Sequence, residues 1–111
     1  MIEMNEQVLA EMVQAIVREV DPEQVILFGS CLRGQMTRDS DVDLMIIERE
    51  PFSGNHSRWR ELERIRRALS PFRVPKDVLV FSVEEVEKWR NSLNHIIATT
   101  LREGRPLYAR P

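Results

Sequence analysis

Two short apolar runs, separated by a polar segment that contains glycine and aspartate, constrain the fold of this chain more than any other feature. The first run, "QVILF", ends at Gly29, and the second, "VDLMII", directly follows Asp41. Short aliphatic runs bounded by Gly, Ser and Asp are typical of strands buried in a sheet. A third run of this type, "DVLVFS", begins at Asp77. The sequence therefore predicts three strands.

Helical periodicity accounts for most of the remaining chain. Apolar residues recur at helical spacing from about Glu3 to Val20, from Ser57 to Leu69 and from about Ser92 to Glu103. A serine-x-x-glutamate capping signature at Ser82 predicts a further short helix that ends near Trp89. We therefore predict a single α/β (α+β) domain over residues 1–111, with a small mixed β-sheet and flanking helices.

Composition and charge exclude several classes of protein. The 111 residues carry a formal net charge of -2, which argues against a protein that coats nucleic acid. The single cysteine excludes an internal disulfide bond, and the N-terminus has no pattern of an export signal. The apolar runs are far shorter than the roughly 20 residues of a membrane-spanning helix. We expect a cytoplasmic protein with no membrane association and no direct nucleic-acid binding.

Three aspartates mark a candidate metal site. Side chains alternate along a strand, so Asp41 and Asp43 point the same way, with Cα atoms roughly 7 Å apart. Like charges at this distance raise each other's pKa unless a cation lies between them, and Mg²⁺ commonly binds one or two carboxylates together with substrate phosphates. If the strand that starts at Asp77 is a neighbour, three carboxylates converge at one end of the sheet. An isolated Asp-x-Asp is more often a solvated turn, but the adjoining strand and turn favour a metal site here.

The turn after the first strand is a candidate phosphate-binding site. Gly29 lets the backbone bend tightly, Ser30 offers a hydroxyl group, and the following residues can open a helix whose free N–H groups face an anion. Arg33 and Arg38 are candidates for phosphate contact. The P-loop motif is absent because no lysine follows Gly34, and "GSCLRG" does not have the G-x-G-x-x-G order of a dinucleotide-binding turn.

The combination of "FGSCLRG", "SDVDL" and the later strand at Asp77 resembles the DNA polymerase beta-like nucleotidyltransferase superfamily, and within it the minimal nucleotidyltransferases. The ending "LREGRPLY" is similar to the common C-terminus of these small proteins. The resemblance implies the polymerase beta-like fold, with Gly29 and Ser30 holding the phosphates of ATP. It implies that Asp41 and Asp43 bind two Mg²⁺ ions. It also implies that Asp77 completes the metal site and helps to activate the attacking hydroxyl.

The same resemblance implies a partner. Minimal nucleotidyltransferases commonly occur beside a helical ribonuclease toxin of the HEPN class and act as its antitoxin. The chain is therefore expected to transfer AMP from ATP to a tyrosine of a HEPN-type toxin within a hetero-oligomer. Two alternatives stay open: a binding-only antitoxin that masks the toxin, and a nucleotidyltransferase for a small molecule presented by a separate domain. The three clustered carboxylates favour turnover over binding alone.

Several other residues receive a structural interpretation. Trp59 and Trp89 lie on apolar helical faces, which predicts burial in the core rather than stacking on bases. His56 and His95 have no second ligand at metal spacing, which predicts that both are structural or solvated. Three arginines on the second helix form a stripe opposite its apolar face and are expected to be solvated: Arg60, Arg64 and Arg67.

Overall fold

The computed structural model describes residues 5–29, 41–93 and 95–111. Within these ranges four helices and four strands follow one another along the chain: α1 (Glu6–Val20), β1 (Gln24–Phe28), β2 (Val42–Glu48), α2 (Arg58–Leu69), β3 (Lys76–Ser82), α3 (Val83–Trp89), α4 (Ile96–Glu103) and β4 (Arg105–Ala109). The three strands expected from the apolar runs are confirmed. The predicted class, a small mixed sheet with flanking helices, is confirmed as well.

The strands form one mixed sheet in the order β3-β2-β1-β4. β1 pairs antiparallel with both β2 and β4, whereas β2 and β3 run parallel. Parallel neighbours need a crossover connection, and α2 supplies it between β2 and β3. Because of this crossover, the residues that begin β2 and β3 lie at the same end of the sheet.

Helices cover both faces of the sheet, which explains why β2 is apolar almost without interruption. On one face, Leu44 and Ile46 pack into a core that includes residues of α1 and α2. On the other face, Met45 and Ile47 pack with residues of α3 and α4. Because side chains alternate along a strand, Asp43 and Glu48 at the two ends of β2 project to opposite faces.

The starts of α1 and α3 follow their capping residues. The Asn5 side chain accepts a hydrogen bond from the N–H of Val8, so α1 begins at Glu6, three residues later than predicted. Ser82 caps α3, and both hydrogen bonds of the predicted capping box with Glu85 are present.

The last helix is shorter than predicted. The ring Nδ1 of His95 accepts a hydrogen bond from the N–H of Ile97 and caps the helix, so α4 begins at Ile96 rather than near Ser92. Leu93 was expected in the apolar stripe of this helix, but it lies before the helix and is 83% exposed. A capping imidazole is not distinguishable from a helical one by periodicity, which explains the error.

The sequence does not predict β4, the edge strand beside β1. Pro106 lowers the expectation of a strand, but proline is tolerated at a sheet edge because one of its sides makes no ladder bonds. The preceding Gly104 permits the close approach to β1, since a Cβ atom there would lie 2.5 Å from the Thr100 carbonyl oxygen and 2.6 Å from Ile26 Cγ2. None of the helices in the described ranges is long and apolar enough to cross a membrane.

Candidate active site

The parallel pairing of β2 with β3 brings two of the three predicted aspartates together. Asp43 and Asp77 are register partners, so they lie side by side at the start of adjacent strands and share a face of the sheet. Asp41 immediately precedes β2, whose first N–H, from Val42, donates to the Pro75 carbonyl oxygen at 2.9 Å. The expected adjacency of the two strands is confirmed. Metal binding by these residues stays a prediction.

The electrostatics of this end of the sheet fit a cation. Asp43 is half-buried, while Asp41 and Asp77 are exposed. Burial raises the pKa of the Asp43 carboxyl, and the negative charges of Asp77 and Asp41 raise it further. A divalent cation among the three carboxylates would remove this repulsion. The donors are all carboxylate oxygens, which suit a hard cation such as Mg²⁺.

Gly29, the residue after β1, lies beside this carboxylate group. Its φ of +79° lies in the region that favours glycine, so the predicted tight bend is confirmed. A Cβ atom at this position would lie 1.9 Å from Oδ2 of Asp43, because Phe28 is the register partner of Asp43 in β2. The backbone at Gly29 therefore passes directly beside the Asp43 carboxylate. Ser30, Arg33 and Arg38 lie outside the described residues.

A cleft of about 360 Å³ opens next to Gly29. Its walls come from the end of β1 and from α4, and its lining residues are Phe28, Gly29, Ile96, Thr99, Thr100, Glu103 and Gly104. Thr100 is 2% exposed, and its Oγ1 has no hydrogen-bond partner within the part of the chain that the structure describes. Sequence reasoning missed this threonine, since a single Thr in an apolar helix carries no pattern of a binding residue.

The fold brings carboxylates to His56 at the far end of β2, although its spacing in the sequence indicates no second metal ligand. Its Nε2 lies 3.3 Å from Oε1 of Glu48, and its Nδ1 lies 3.2 Å from Oε2 of Glu50. One ligand atom each from Glu48, His56 and Glu61 lies within 4.8 Å of the others. These residues are separated by a loop and by the start of α2, so their spacing matches no metal-binding motif.

The two tryptophans are not core residues. Trp59 is 67% exposed and Trp89 is 38% exposed, with the Trp89 ring stacked on His95 at 4.7 Å between centroids. The buried stripe of α2 consists of Glu61, Ile65 and Leu69 at i, i+4 and i+8, which turns Trp59 away from the sheet. A periodicity that includes Trp59 fits the same sequence, and only packing selects between the two faces.

The predicted arginine stripe is only partly solvated. Arg60 and Arg67 are exposed, as expected. Arg64 instead is half-buried and donates to Glu61 and Glu19, bridging α2 to α1.

Comparison with known proteins agrees with this geometry. The family model of the nucleotidyltransferase domain matches residues 9–105. No curated protein matches the chain significantly. A solved structure of a candidate nucleotidyltransferase from Sulfolobus solfataricus is 17% identical, with a TM-score of 0.62 over 94% of this chain and 79% of that one.

Two further similar structures are toxin–antitoxin complexes. One, containing AMP-PNP, is 18% identical, with a TM-score of 0.54 over 91% of this chain and 73% of that chain. The other, the MntA-HepT complex, is 16% identical, with a TM-score of 0.50 over 95% of this chain and 74% of that chain. At these identities the similarity establishes a shared fold.

Proposed function

The chain belongs to the nucleotidyltransferase domain family, and on that premise we propose that it is an antitoxin that transfers AMP from ATP to a tyrosine of a HEPN-type RNase toxin. We take residues 1–111 as a single nucleotidyltransferase domain. The observation that supports catalysis best is the in-register pair Asp43–Asp77, with Asp41 next to it in the chain.

The metal site is part of the proposal. Asp41, Asp43 and Asp77 would hold two Mg²⁺ ions, and the raised pKa of Asp43 supports a cation at this place. When bound, such ions neutralise the charge that develops on the attacking and leaving oxygens. The aspartates themselves fix where that positive charge lies, because both strand starts are held by the sheet.

The turn at Gly29 would position the donor. The absence of a side chain at Gly29 leaves room for the Asp43 carboxylate, so a triphosphate bound at the turn would lie beside the acids. Ser30 and Arg33 are proposed as phosphate contacts from the family resemblance. The cleft beside Gly29 offers space for the rest of the nucleotide or for the acceptor.

The proposed reaction is a single displacement at the α-phosphorus of ATP. The tyrosine oxygen forms a bond to that phosphorus, the bond to the bridging oxygen breaks, and pyrophosphate leaves. Asp77 is exposed, so an acceptor hydroxyl can reach it and transfer its proton to the carboxylate.

The proposed partner is supported by two similar structures, which are toxin–antitoxin complexes, one of them with the ATP analogue AMP-PNP. A masking antitoxin without catalysis and a transferase for a small molecule remain the competing functions. They differ from the proposal in what happens to the mass of the toxin.

Intact-mass spectrometry of the partner tests the proposal. After incubation of a purified HEPN-type toxin partner with the wild-type chain, ATP and Mg²⁺, we expect the toxin to gain roughly 329 Da per transferred AMP. Asp77→Asn should still bind the toxin but add no mass, whereas Glu84→Gln, at an exposed position of α3, should behave like the wild type. A toxin that is neutralised by the wild type with no gain in mass would contradict catalysis and favour masking.

A further inference from the structure

The C-terminal end of β2 holds a second group of potential metal ligands, on the opposite face of the sheet from Asp43. Glu48 is the last residue of β2, His56 ends the loop that follows, and Glu61 lies in the first turn of α2. The loop is closed by a β-bridge between Ser53 and His56. The His56 ring also stacks on Phe52, with 5.0 Å between ring centroids and 8° between planes. These contacts fix the imidazole in place beside the two carboxylates.

The spacing of the ligand atoms suits a small cation. His56 Nε2 and Glu48 Oε1 are 3.3 Å apart, which is close to the ~3.4 Å edge of a tetrahedron with metal–ligand bonds of about 2.1 Å. One carboxylate oxygen of Glu61 also lies within 4.8 Å of the ligand atoms of His56 and Glu48. Small side-chain rotations would bring these three ligand atoms to bonding distance of one cation.

Unpaired buried atoms point independently to a ligand. Glu48 is only 4% exposed, yet its Oε2 has no hydrogen-bond partner among the residues that the structure describes. His56 Nε2 likewise makes no hydrogen bond within those residues, although Glu48 Oε1 is near. Buried polar atoms are rarely left without a partner, because their desolvation is then not offset by a hydrogen bond. A cation bound by Nε2 and Oε2 would satisfy both atoms.

The charges of the neighbouring side chains also favour a divalent cation. Glu48, Glu50 and Glu61 contribute three negative charges when ionised, and the neighbouring Arg64 contributes one positive charge through its contact of 3.1 Å with Glu61. A surface cleft of about 300 Å³ gives a divalent ion access to these carboxylates and to His56. The two further arginines that line the cleft pair with carboxylates outside the proposed site.

We propose that Glu48, His56 and Glu61 form a binding site for one divalent transition-metal ion, represented by Zn²⁺, separate from the aspartate site. The imidazole nitrogen distinguishes this donor set from an all-oxygen magnesium site, because imidazole suits Zn²⁺ and similar ions while Mg²⁺ prefers oxygen ligands. The ion would link β2, the following loop and α2. The site makes no use of the nucleotide, so it stands or fails independently of the proposed transfer reaction.

Calorimetric titration with zinc chloride tests the site in the full chain, after treatment with chelator and in excess Mg²⁺. We expect one Zn²⁺ per chain, a rise in melting temperature on zinc addition, and zinc binding weakened by more than about tenfold in His56→Asn. Glu63→Gln, two residues from Glu61 but exposed on α2, is the matched control and should bind zinc like the wild type. Equal affinity in the wild type and His56→Asn, or no zinc binding by the wild type, would overturn the proposal.

Anomalous diffraction at the zinc edge keeps the proposal testable if His56→Asn fails to fold. Crystals of the wild-type protein soaked in zinc chloride should show a peak between His56 Nε2 and the carboxylates of Glu48 and Glu61. Peaks only elsewhere, including at the aspartates, would refute the site.

Discussion

Asp43 at the start of β2 and Glu48 at its end belong to the same strand but project to opposite faces, and their neighbours differ in kind. Asp43 is half-buried, lies beside two exposed aspartates and borders the backbone at Gly29. Glu48 is 4% exposed and lines a cleft together with a histidine, two other glutamates, an aspartate and three arginines. The first end thus groups carboxylates alone, whereas the second combines carboxylates with an imidazole and guanidinium groups around a cleft of about 300 Å³.

Burial is the largest cause of the raised pKa at both ends, followed by neighbouring carboxylates. The two ends differ in what can relieve the repulsion between the carboxylates. At Asp43 the relief would come from metal ions that arrive with a nucleotide. At Glu48, burial first and then the neighbouring Glu61 raise the pKa to about 8, so a proton can itself relieve the repulsion there. Similar charges at the two ends of one strand therefore support different chemistry.

The largest expected effect is on catalysis at the Asp43 end. Asp43→Asn keeps the shape of the side chain but removes the central charge, so AMP transfer should fall on the order of a thousandfold while the protein stays folded. Initial rates of AMP transfer to the toxin, measured by intact mass, give the comparison. Retention of more than a tenth of the wild-type rate would show that the aspartates are not the catalytic centre.

The next effect concerns pH and the Glu48 end in metal-free protein. Between about pH 5 and pH 8 the unfolded chain has released the Glu48 proton while the folded chain keeps it, so this residue makes the folded state less stable as pH rises. The slope is at most about 1.4 kcal/mol per pH unit for one proton. Glu61, Glu50, His56 and Arg64 also face this group, so the signal is the difference between wild type and Glu48→Gln.

Urea unfolding with chelator present measures that difference. Glu48→Gln should gain stability relative to the wild type as pH rises from 5 to 8, because an amide cannot ionise, and the gain should vanish near pH 4. A constant difference across this range would show that Glu48 titrates normally and that the two ends are more alike than the structure indicates.

A smaller effect is expected at the glycine that borders the aspartates. Gly29→Ala places a side chain at φ +79°, where Cβ would meet Oδ2 of Asp43, so the protein should lose about 1–3 kcal/mol of stability. The displaced carboxylate should also weaken Mg²⁺–ATP binding, measured by calorimetry. Gly54→Ala is the control, since a Cβ atom there has nothing within 4 Å. Equal ATP affinity in both variants would show that Gly29 does not contribute to the nucleotide-binding site.

The smallest expected effect tests which face of α2 is buried. Trp59 is 67% exposed, so Trp59→Gln should change the free energy of unfolding by no more than about 0.5 kcal/mol. Ile65→Ala, at a fully buried position of the same helix, should cost about 2–5 kcal/mol. Similar costs for both substitutions in urea unfolding would mean that α2 is rotated and that Glu61 does not face Glu48.

Local patterns explain what the sequence could predict. The strands that begin near Asp41 and Asp77 follow from short apolar runs, and α3 follows from the Ser82–Glu85 capping box, since these signals depend on neighbours in the chain. The adjacency of Asp43 and Asp77 could be anticipated from the sequence, because both residues lie at the start of similar apolar runs.

The features that the sequence did not predict depend on contacts between distant segments. β4 forms because it pairs with β1, and Pro106 lowers the strand propensity of this segment, so the local sequence does not indicate a strand. His56 meets Glu48 and Glu61 only because the loop and the crossover helix return to the end of β2. Trp59 was assigned to the wrong face because two periodicities fit α2 and burial of Glu61 selects the less apolar one.

A crystal structure with Mn²⁺ and a non-hydrolysable ATP analogue tests the central claim most directly, since anomalous scattering locates the metal and the map locates the phosphates. We expect manganese among Asp41, Asp43 and Asp77, with the triphosphate along the turn at Gly29. A nucleotide bound with its metal at Glu48 and His56, or away from β2 altogether, would contradict the assignment of the Asp43 end as the catalytic centre.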